Sequence, residues 1–392
     1  MSVAEPGSTS FRLARVSARQ LRAAHVALAV VFVGFGTVDG TWAARLPALK
    51  DRLGLDSGTL GVAIFCVSVS ATLVLPVAGW LASRAGSRGP SGLGLVLTGG
   101  ALTAAAFAPS FAALAPAACL IGAGFGIVDV AANAHGVALE GRLGRPVLSA
   151  LHGAWSAGLL AGSAIAAGAA AAGAGPRLQF PLVAAGVLGI AVVFVPRLMP
   201  GTAADVDSAH FALPRGALAL PALLTFCSMF VESAAMNWSA VFLSGPAHAS
   251  AAVGAGGVVA FAIAMALARL VGDRLTVRWG VAGLARRGGL LTCAGVALAL
   301  ATRSAVPGLV GFALVGAGCA AIVPALFRVA ASVAGVSAGA GIAAVATAGY
   351  TGGVLNGPAI GFLARGIGLT GALSIVGVAG ALIALLGPRI QR

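Results

Sequence analysis

The chain has little charge. Asp, Glu, Lys and Arg make up 9 % of its 392 residues, hydrophobic residues make up 59 %, and the mean hydropathy is +1.02. A water-soluble domain carries about 25 % charged residues. This chain cannot coat itself for water, so it must use lipid as its solvent. Lysine and tyrosine occur once each, which makes the net charge of +14 almost entirely arginine. The arginines are dispersed in short connections, with no polar domain and no aromatic platforms, and this excludes a nucleic-acid interface. The five cysteines (Cys66, Cys119, Cys227, Cys293 and Cys319) sit singly inside apolar runs, with no CxxC pair. They exclude a disulfide framework or a thiolate metal centre and read as small buried hydrophobes. No GxxxxGK[ST] loop is present, so an ATP-driven pump would need a second chain. HExxH and a Gly-rich serine motif are absent too. An intramembrane enzyme assembled from Asp129, Asn133, His135 and His152 is left as a remote alternative. Neither a cofactor nor a metal is implied.

What is present is oil, in pieces of one length. Apolar stretches fall near 24–44, 59–82, 91–109, 112–138, 148–172, 179–196, 217–243, 253–272, 287–302, 306–330, 338–363 and 369–387. Each is near the ~20 residues that a bilayer requires. The expected fold is an all-α membrane protein of about twelve transmembrane helices, numbered as segments one to twelve. The first stretch follows Arg12, Arg15, Arg19 and Arg22 and resembles a signal peptide at a glance. It is long enough to span and is followed by more of its kind, so it reads as the first spanning helix.

Arginine placement orients the chain. With the N-terminus in the cytoplasm, the inside face carries Arg12 to Arg22, Arg84, Arg88, Arg142, Arg145, Arg197, Arg215, Arg274, Arg278, Arg286, Arg287, Arg389 and Arg392. The outside face carries only Arg45, Lys50, Arg52, Arg177, Arg303 and Arg365. This bias follows the positive-inside rule and puts both termini in the cytoplasm. The longest polar connection, Pro200 to Arg215 with Asp205, Asp207 and His210, lies midway along the chain. The expected organisation is a cytoplasmic N-terminal segment (1–23), a six-helix bundle (24–196), a cytoplasmic linker (197–216), a second six-helix bundle (217–387) and a cytoplasmic tail (388–392).

The two halves echo each other. Gly79-Trp80-Leu81-Ala82-Ser83-Arg84-Ala85-Gly86-Ser87-Arg88 follows segment two, and Arg269-Leu270-Val271-Gly272-Asp273-Arg274-Leu275-Thr276-Val277-Arg278-Trp279-Gly280 follows segment eight. Each reads as a small Arg-bearing hinge. Trp42 matches Trp238. Gly122-Ala123-Gly124 matches Gly316-Ala317-Gly318, and Gly158-x-x-x-Gly162 matches Gly353-x-x-x-Gly357. Their shared order at nearly one offset indicates a parallel repeat, so the fold divides into two six-helix pseudo-repeats.

With these residues the chain resembles the major facilitator superfamily. The hinge after segment two is similar to that superfamily's G-x-L-a-D-R-x-G-R-[RK] loop, with Ser83 where Asp is usual, and Asp273-Arg274 supplies the second copy. Within the superfamily the chain looks closest to the fucose-permease-like branch and to uncharacterised bacterial inner-membrane relatives. That likeness rests on Asp39-Gly-Thr-Trp42 with Arg45-Leu-Pro47, Asp129 with Asn133, Leu151-His152-Gly153, and Glu232 with Asn237-Trp238. The resemblance implies that segments one, four, seven and ten line a central cavity. It assigns the two acids of sugar–proton symport to Asp39 and Asp129.

A carboxylate near the bilayer centre costs about 2.5–3.5 kcal/mol even on the lenient insertion scale, so Asp39, Asp129 and Glu232 are expected to face water or hold a partner. Asp129 and Asn133 share a helix face, as do Asp39, Phe35 and Trp42, and as do Glu232, Ser228 and Met236. Asp39, Asp129, Glu232 and His152 are the proton-coupling candidates. Trp42, Asn133, Trp155, Asn237, Trp238 and Asn356 are the candidate substrate contacts. Arg84, Arg88, Asp273 and Arg274 are candidate gate residues. Pairing of Asp39 with Arg45 at the outer end is the structural alternative for that acid. The expected protein is a monomeric secondary transporter of the bacterial inner membrane. It would move a small polar, sugar-like solute by alternating access, coupled to protons. Proton-driven efflux of amphipathic compounds is the alternative, and a non-transporting receptor is a more remote one.

Overall fold

The computed structural model describes residues 17–145, 147–200, 214–336 and 338–391. Arg12, Arg15 and the linker residues Asp205, Asp207 and His210 lie outside them. The described residues form helices and short connections: α1 (Ala18–Ala44), α2 (Leu46–Leu53), α3 (Ser57–Ala85), α4 (Arg88–Phe107), α5 (Phe111–Leu143), α6 (Leu148–Ala171), α7 (Pro176–Phe194), α8 (Ala219–Ser244), α9 (Ala251–Thr302), α10 (Ala305–Cys319), α11 (Ile322–Ala331) and α12 (Ala338–Leu386). Among them are eleven helical stretches long and apolar enough to cross a membrane. The last of these breaks at Gly368, so the chain makes twelve passes.

Local chemistry sets where these helices begin and end. Ser17 and Gln20 form a reciprocal capping box that starts α1 ahead of the apolar stretch at 24. Asp56 caps α3 by accepting from the Thr59 N–H at 2.6 Å. The two repeated hinges are tighter than the sequence suggests. Residues 79–85 and 269–279 are helical, and each turn is concentrated at one glycine. Gly86 (φ 72°, ψ 169°) and Gly280 (φ 66°, ψ 170°) adopt the same conformation, one that is essentially closed to residues with a Cβ. Segment ten, expected as one run, is divided into α10 and α11. Pro324 has no N–H for the Ala320 carbonyl four residues earlier, so the hydrogen-bond ladder breaks there.

Helices α1–α7 form one bundle and α8–α12 the other. Within each, glycines bring backbones together, as packing in lipid favours. A Cβ on Gly124 would lie 2.6 Å from the Thr98 methyl, and one on Gly318 would lie 2.7 Å from the Thr292 hydroxyl, the equivalent contact in the second half. The proposed match of Gly158-x-x-x-Gly162 with Gly353-x-x-x-Gly357 is off by one residue. Gly158 packs on the Val33 carbonyl of segment one, and Gly352 plays that part on the Phe226 carbonyl of segment seven. Gly357 instead packs across to the other half.

The halves meet closely at the end that carries α2. Gly357 and Gly361 of α12 lie against the backbone of Gly61 and Ser57 of α3. Ala43, Ala44, Ala166, Ala240, Ala255 and Val258, from α1, α6, α8 and α9, form a small-residue cluster at the same end. Arg365 closes it, donating to both Asp56 carboxylate oxygens at 3.0 Å and packing over Phe362.

Candidate functional site

A cavity of about 300 Å³ lies between the two bundles, beginning just beyond this sealed end. Helices α1, α3, α5 and α6 supply one wall, and α8 with the first part of α12 supplies the other. Asp39 and Asp129 both face it, with Phe35 and Trp42 beside Asp39 on α1 as the helical period requires. Asp39 makes no hydrogen bond or ion pair with any described residue. Its alternative partner, Arg45, is buried and donates instead to the Ala174 carbonyl. Asp129 accepts from the Asn133 amide at 2.9 Å, so Asn133 holds the carboxylate rather than lining the cavity itself.

The aromatic wall is continuous. The Phe35 ring lies 5.2 Å from Phe125 and 6.2 Å from Trp155, and the Trp155 indole N–H has no partner among the described residues. Asn237 lines the cavity from α8, its amide donating to the Ser233 carbonyl at 2.9 Å. His152 is exposed and sits edge-on to Phe32 with ring centroids 5.6 Å apart; it is within electrostatic reach of Asp129. Trp238 and Asn356 are fully buried away from the cavity. Asn356 donates to the Gly353 carbonyl. These two are therefore packing residues in this conformation, while Trp42, Trp155 and Asn237 are cavity residues.

Glu232 stands apart from the other two acids. It pairs with Arg269 of α9 at 3.3 Å, beside Trp155, Ser156 and Leu159 of the opposite half. Arg269 also donates from Nε to the Ala320 carbonyl at 3.4 Å, the acceptor left open by Pro324. One guanidinium thus ties α8, α9 and the α10–α11 break together. In the sequence Arg269 stands out only as part of the hinge. The missed signal was Pro324, which marks a carbonyl in need of an outside donor. Also missed were Ser68, Thr72, Ser233 and Tyr350, all lining the cavity. Ser68 and Thr72 carried a readable sign, hydroxyls four residues apart on an otherwise apolar helix.

The gate candidates lie at the end opposite the seal. Arg84 stacks over Trp80 at 5.2 Å, and the Ser83 hydroxyl turns back to the Trp80 carbonyl. Arg274 is exposed and Arg88 is partly buried at the start of α4, while the Asp273 side chain lies outside the described residues. The cross-bundle ion pair that the described residues do show, Asp56–Arg365, is at the sealed end. The Asp56 carboxyl is held down at about 2 by the Thr59 backbone N–H and by Arg365, so this contact stays charged.

Two helical bundles around a central cavity that holds two carboxylates, in a chain of twelve apolar passes, define a membrane transporter. Similarity to known proteins agrees. The chain is 31 % identical over 365 residues to an uncharacterized MFS-type transporter of Yersinia pestis, covering 92 % of this chain and 91 % of that one. It is 31 % identical to an uncharacterized transporter of Sinorhizobium fredii, covering 93 % and 97 %. It is 32 % identical to the membrane protein MosC of Rhizobium meliloti, covering 91 % and 88 %. The chain therefore belongs to the major facilitator superfamily and is not an enzyme. No family model matches it. Among solved structures, the nucleoside transporter NupG superposes with a TM-score of 0.72 at 14 % identity, covering 94 % of this chain and 98 % of NupG. A D-xylose-proton symporter superposes at 0.75 and 12 %, covering 95 % and 98 %. These neighbours share the two-bundle fold, and none of the relatives singles out the fucose-permease-like branch.

Proposed function

We propose that this chain is a proton-coupled secondary carrier that moves a small polar solute across the inner membrane by alternating access. The supporting observation is the cavity itself: two intramembrane aspartates from one bundle face hydroxyl and amide groups from the other, behind a seal at one end. Intramembrane carboxylates aimed at a cavity mark solute and ion pathways. Asp39 and Asp129 serve as proton acceptors, Trp42, Trp155 and Asn237 as solute contacts, and His152 as a proton relay at the cavity edge. The positive-inside bias puts both termini in the cytoplasm, so the sealed end is the outer one and the conformation faces inward. Solved proteins of this fold carry nucleosides and D-xylose, the latter with a proton, which suits a sugar-like solute.

Export of amphipathic compounds is the second reading. It draws on Met229, Met236, Phe125 and Val67, which make much of the lining apolar. Purified protein in liposomes, assayed for solute flux with and without a pH gradient and in both directions, tests both readings. The expected result is gradient-driven flux lost in Asp39→Asn and Asp129→Asn. Flux that ignores the gradient and both substitutions refutes the proton-coupled carrier mechanism.

A further inference from the structure

We propose that the solute held in this cavity is itself a cation, a protonated amine or quaternary ammonium compound bound between Asp39 and Asp129. The inference rests on reading the cavity as the transport site and adds the charge of its cargo.

Charge reverses sign at the cavity. Lys and Arg outnumber Asp and Glu by 24 to 10 in the chain, yet among the described residues the cavity is lined by two aspartates and by no Lys, Arg or His. His152, within electrostatic reach of Asp129, stands at the cavity edge outside the lining, and the two nearby arginines are engaged elsewhere. Arg269 is turned to Glu232 and the Ala320 carbonyl, and Arg45 is buried against the Ala174 carbonyl. An anionic solute would meet two carboxylates with no Lys or Arg beside them in the described lining, an arrangement that selects against it.

Asp39 also lacks a partner. A carboxylate inside a membrane span needs a counter-charge or a proton. Asp39 has no donor among the described residues, so whatever matches it arrives through the cavity. Asp129 differs, because its carboxylate already accepts from the Asn133 amide.

The wall has the matching chemistry. Phe35, Phe125, Trp155 and Tyr350 bring aromatic surfaces to the same space as the two acids. Aromatic faces beside carboxylates favour a soft organic cation over a hydrated metal ion. A proton on Asp39 would neutralise the place where the cation docks. Proton and cation therefore compete for one carboxylate, and the carrier exchanges one for the other rather than carrying both together.

The test uses the purified full chain and a panel of amines and quaternary ammonium ions, each beside its neutral isostere. Choline beside neohexyl alcohol and glucosamine beside glucose are two such pairs. Binding is read by thermal shift and by tryptophan fluorescence. At least one cation is expected to bind about tenfold or more tightly than its neutral partner, a ratio worth about 1.4 kcal/mol. That preference should vanish in Asp39→Asn. Should that variant fail to fold, the unmodified chain gives an independent reading: affinity for the fixed-charge quaternary ion should fall as the pH is lowered, because protonation removes its counter-ion, and the fall should persist in His152→Gln. Equal binding of neutral partners, pH-independent binding of the quaternary ion, or no cation bound at millimolar concentration overturns the proposal. A neutral solute whose binding is lost in Asp39→Asn removes the cation and leaves the carrier standing. Ligand binding indifferent to both Asp39 and Asp129 removes both.

Discussion

Gly357→Ala separates a contact made in one conformation from a contact made in all of them. A Cβ at 357 would lie 2.6 Å from the Gly61 carbonyl oxygen and 3.0 Å from the Ile64 side chain, both in the opposite bundle. Carbon and oxygen need more than about 3 Å, so α3 and α12 must part by several tenths of an ångström. Overpacking of this size costs about 1–3 kcal/mol. In the proposed alternating-access carrier the cost falls only on the conformation sealed at the α2 end, where the two helices touch. A differential of that size shifts a two-state equilibrium by about 5- to 150-fold. The matched control is Gly318→Ala, whose Cβ would lie 2.6 Å from the Gly288 carbonyl inside one bundle. Under the proposed rocking of the bundles that contact persists, so the control should lose stability without shifting the equilibrium. The assay is labelling of Ser68→Cys, on the cavity wall, by an impermeant maleimide in vesicles of each orientation, with the native cysteines replaced. Gly357→Ala should raise labelling from the α2 side and lower it from the other, and Gly318→Ala should change neither ratio. If both substitutions lower the unfolding temperature alike and leave the ratio unmoved, the seal is not a contact that distinguishes conformations.

Three further outcomes follow from the structure. Asp56→Asn keeps the helix cap, since Asn caps as well as Asp, but discharges the partner of Arg365; labelling from the sealed side should rise. The difference in the two-sided labelling ratio between the unmodified chain and Asp56→Asn should be the same at about pH 5 and at about pH 8, a comparison in which the thiolate dependence of the maleimide reaction cancels. The folded carboxyl, at about 2, lies below its ordinary 3.8, so its stabilisation is complete above that ordinary value and is lost only as pH falls through about 2. Arg269→Gln strips Glu232 of its ion partner and weakens the donation to Ala320. Arg269 and Glu232 have side-chain exposures of 39 % and 15 %, so the loss should be roughly 1–3 kcal/mol rather than the ~3–5 of a fully buried pair. Arg269→Lys should restore only part of it, read by thermal unfolding in detergent, because one ammonium does not span both acceptors in the guanidinium's geometry. Gly280→Ala should cost about 1–3 kcal/mol in the same assay for its backbone conformation alone. Gly100→Ala, in a helix with open space around it, should be neutral or stabilising by up to about 1 kcal/mol.

Much of this was legible in the residues. Segment lengths and the two Arg-bearing hinges pointed to the passes and the repeat, because hydrophobic length and turn chemistry are local. The shared faces of Asp39 with Phe35 and Trp42, and of Asp129 with Asn133, were also legible, since helical spacing places neighbours on one helix. Which neighbour lies across the gap was not. Trp238 and Asn237 are adjacent in sequence, yet only Asn237 reaches the cavity. Glu232 and Asp39 both read as membrane carboxylates awaiting a partner. Arg269, from a helix further along the chain, settles the first and leaves the second open.

The sequence by itself determined that the chain lives in lipid, that it crosses many times in two related halves, and that a few acids must be reconciled with oil. Those follow from composition and short-range periodicity, which do not depend on how helices are arranged. Only the tertiary structure decided which acids share a cavity, which one is paired, and which end is shut. These depend on contacts between helices far apart in the chain, which composition and helical spacing do not specify.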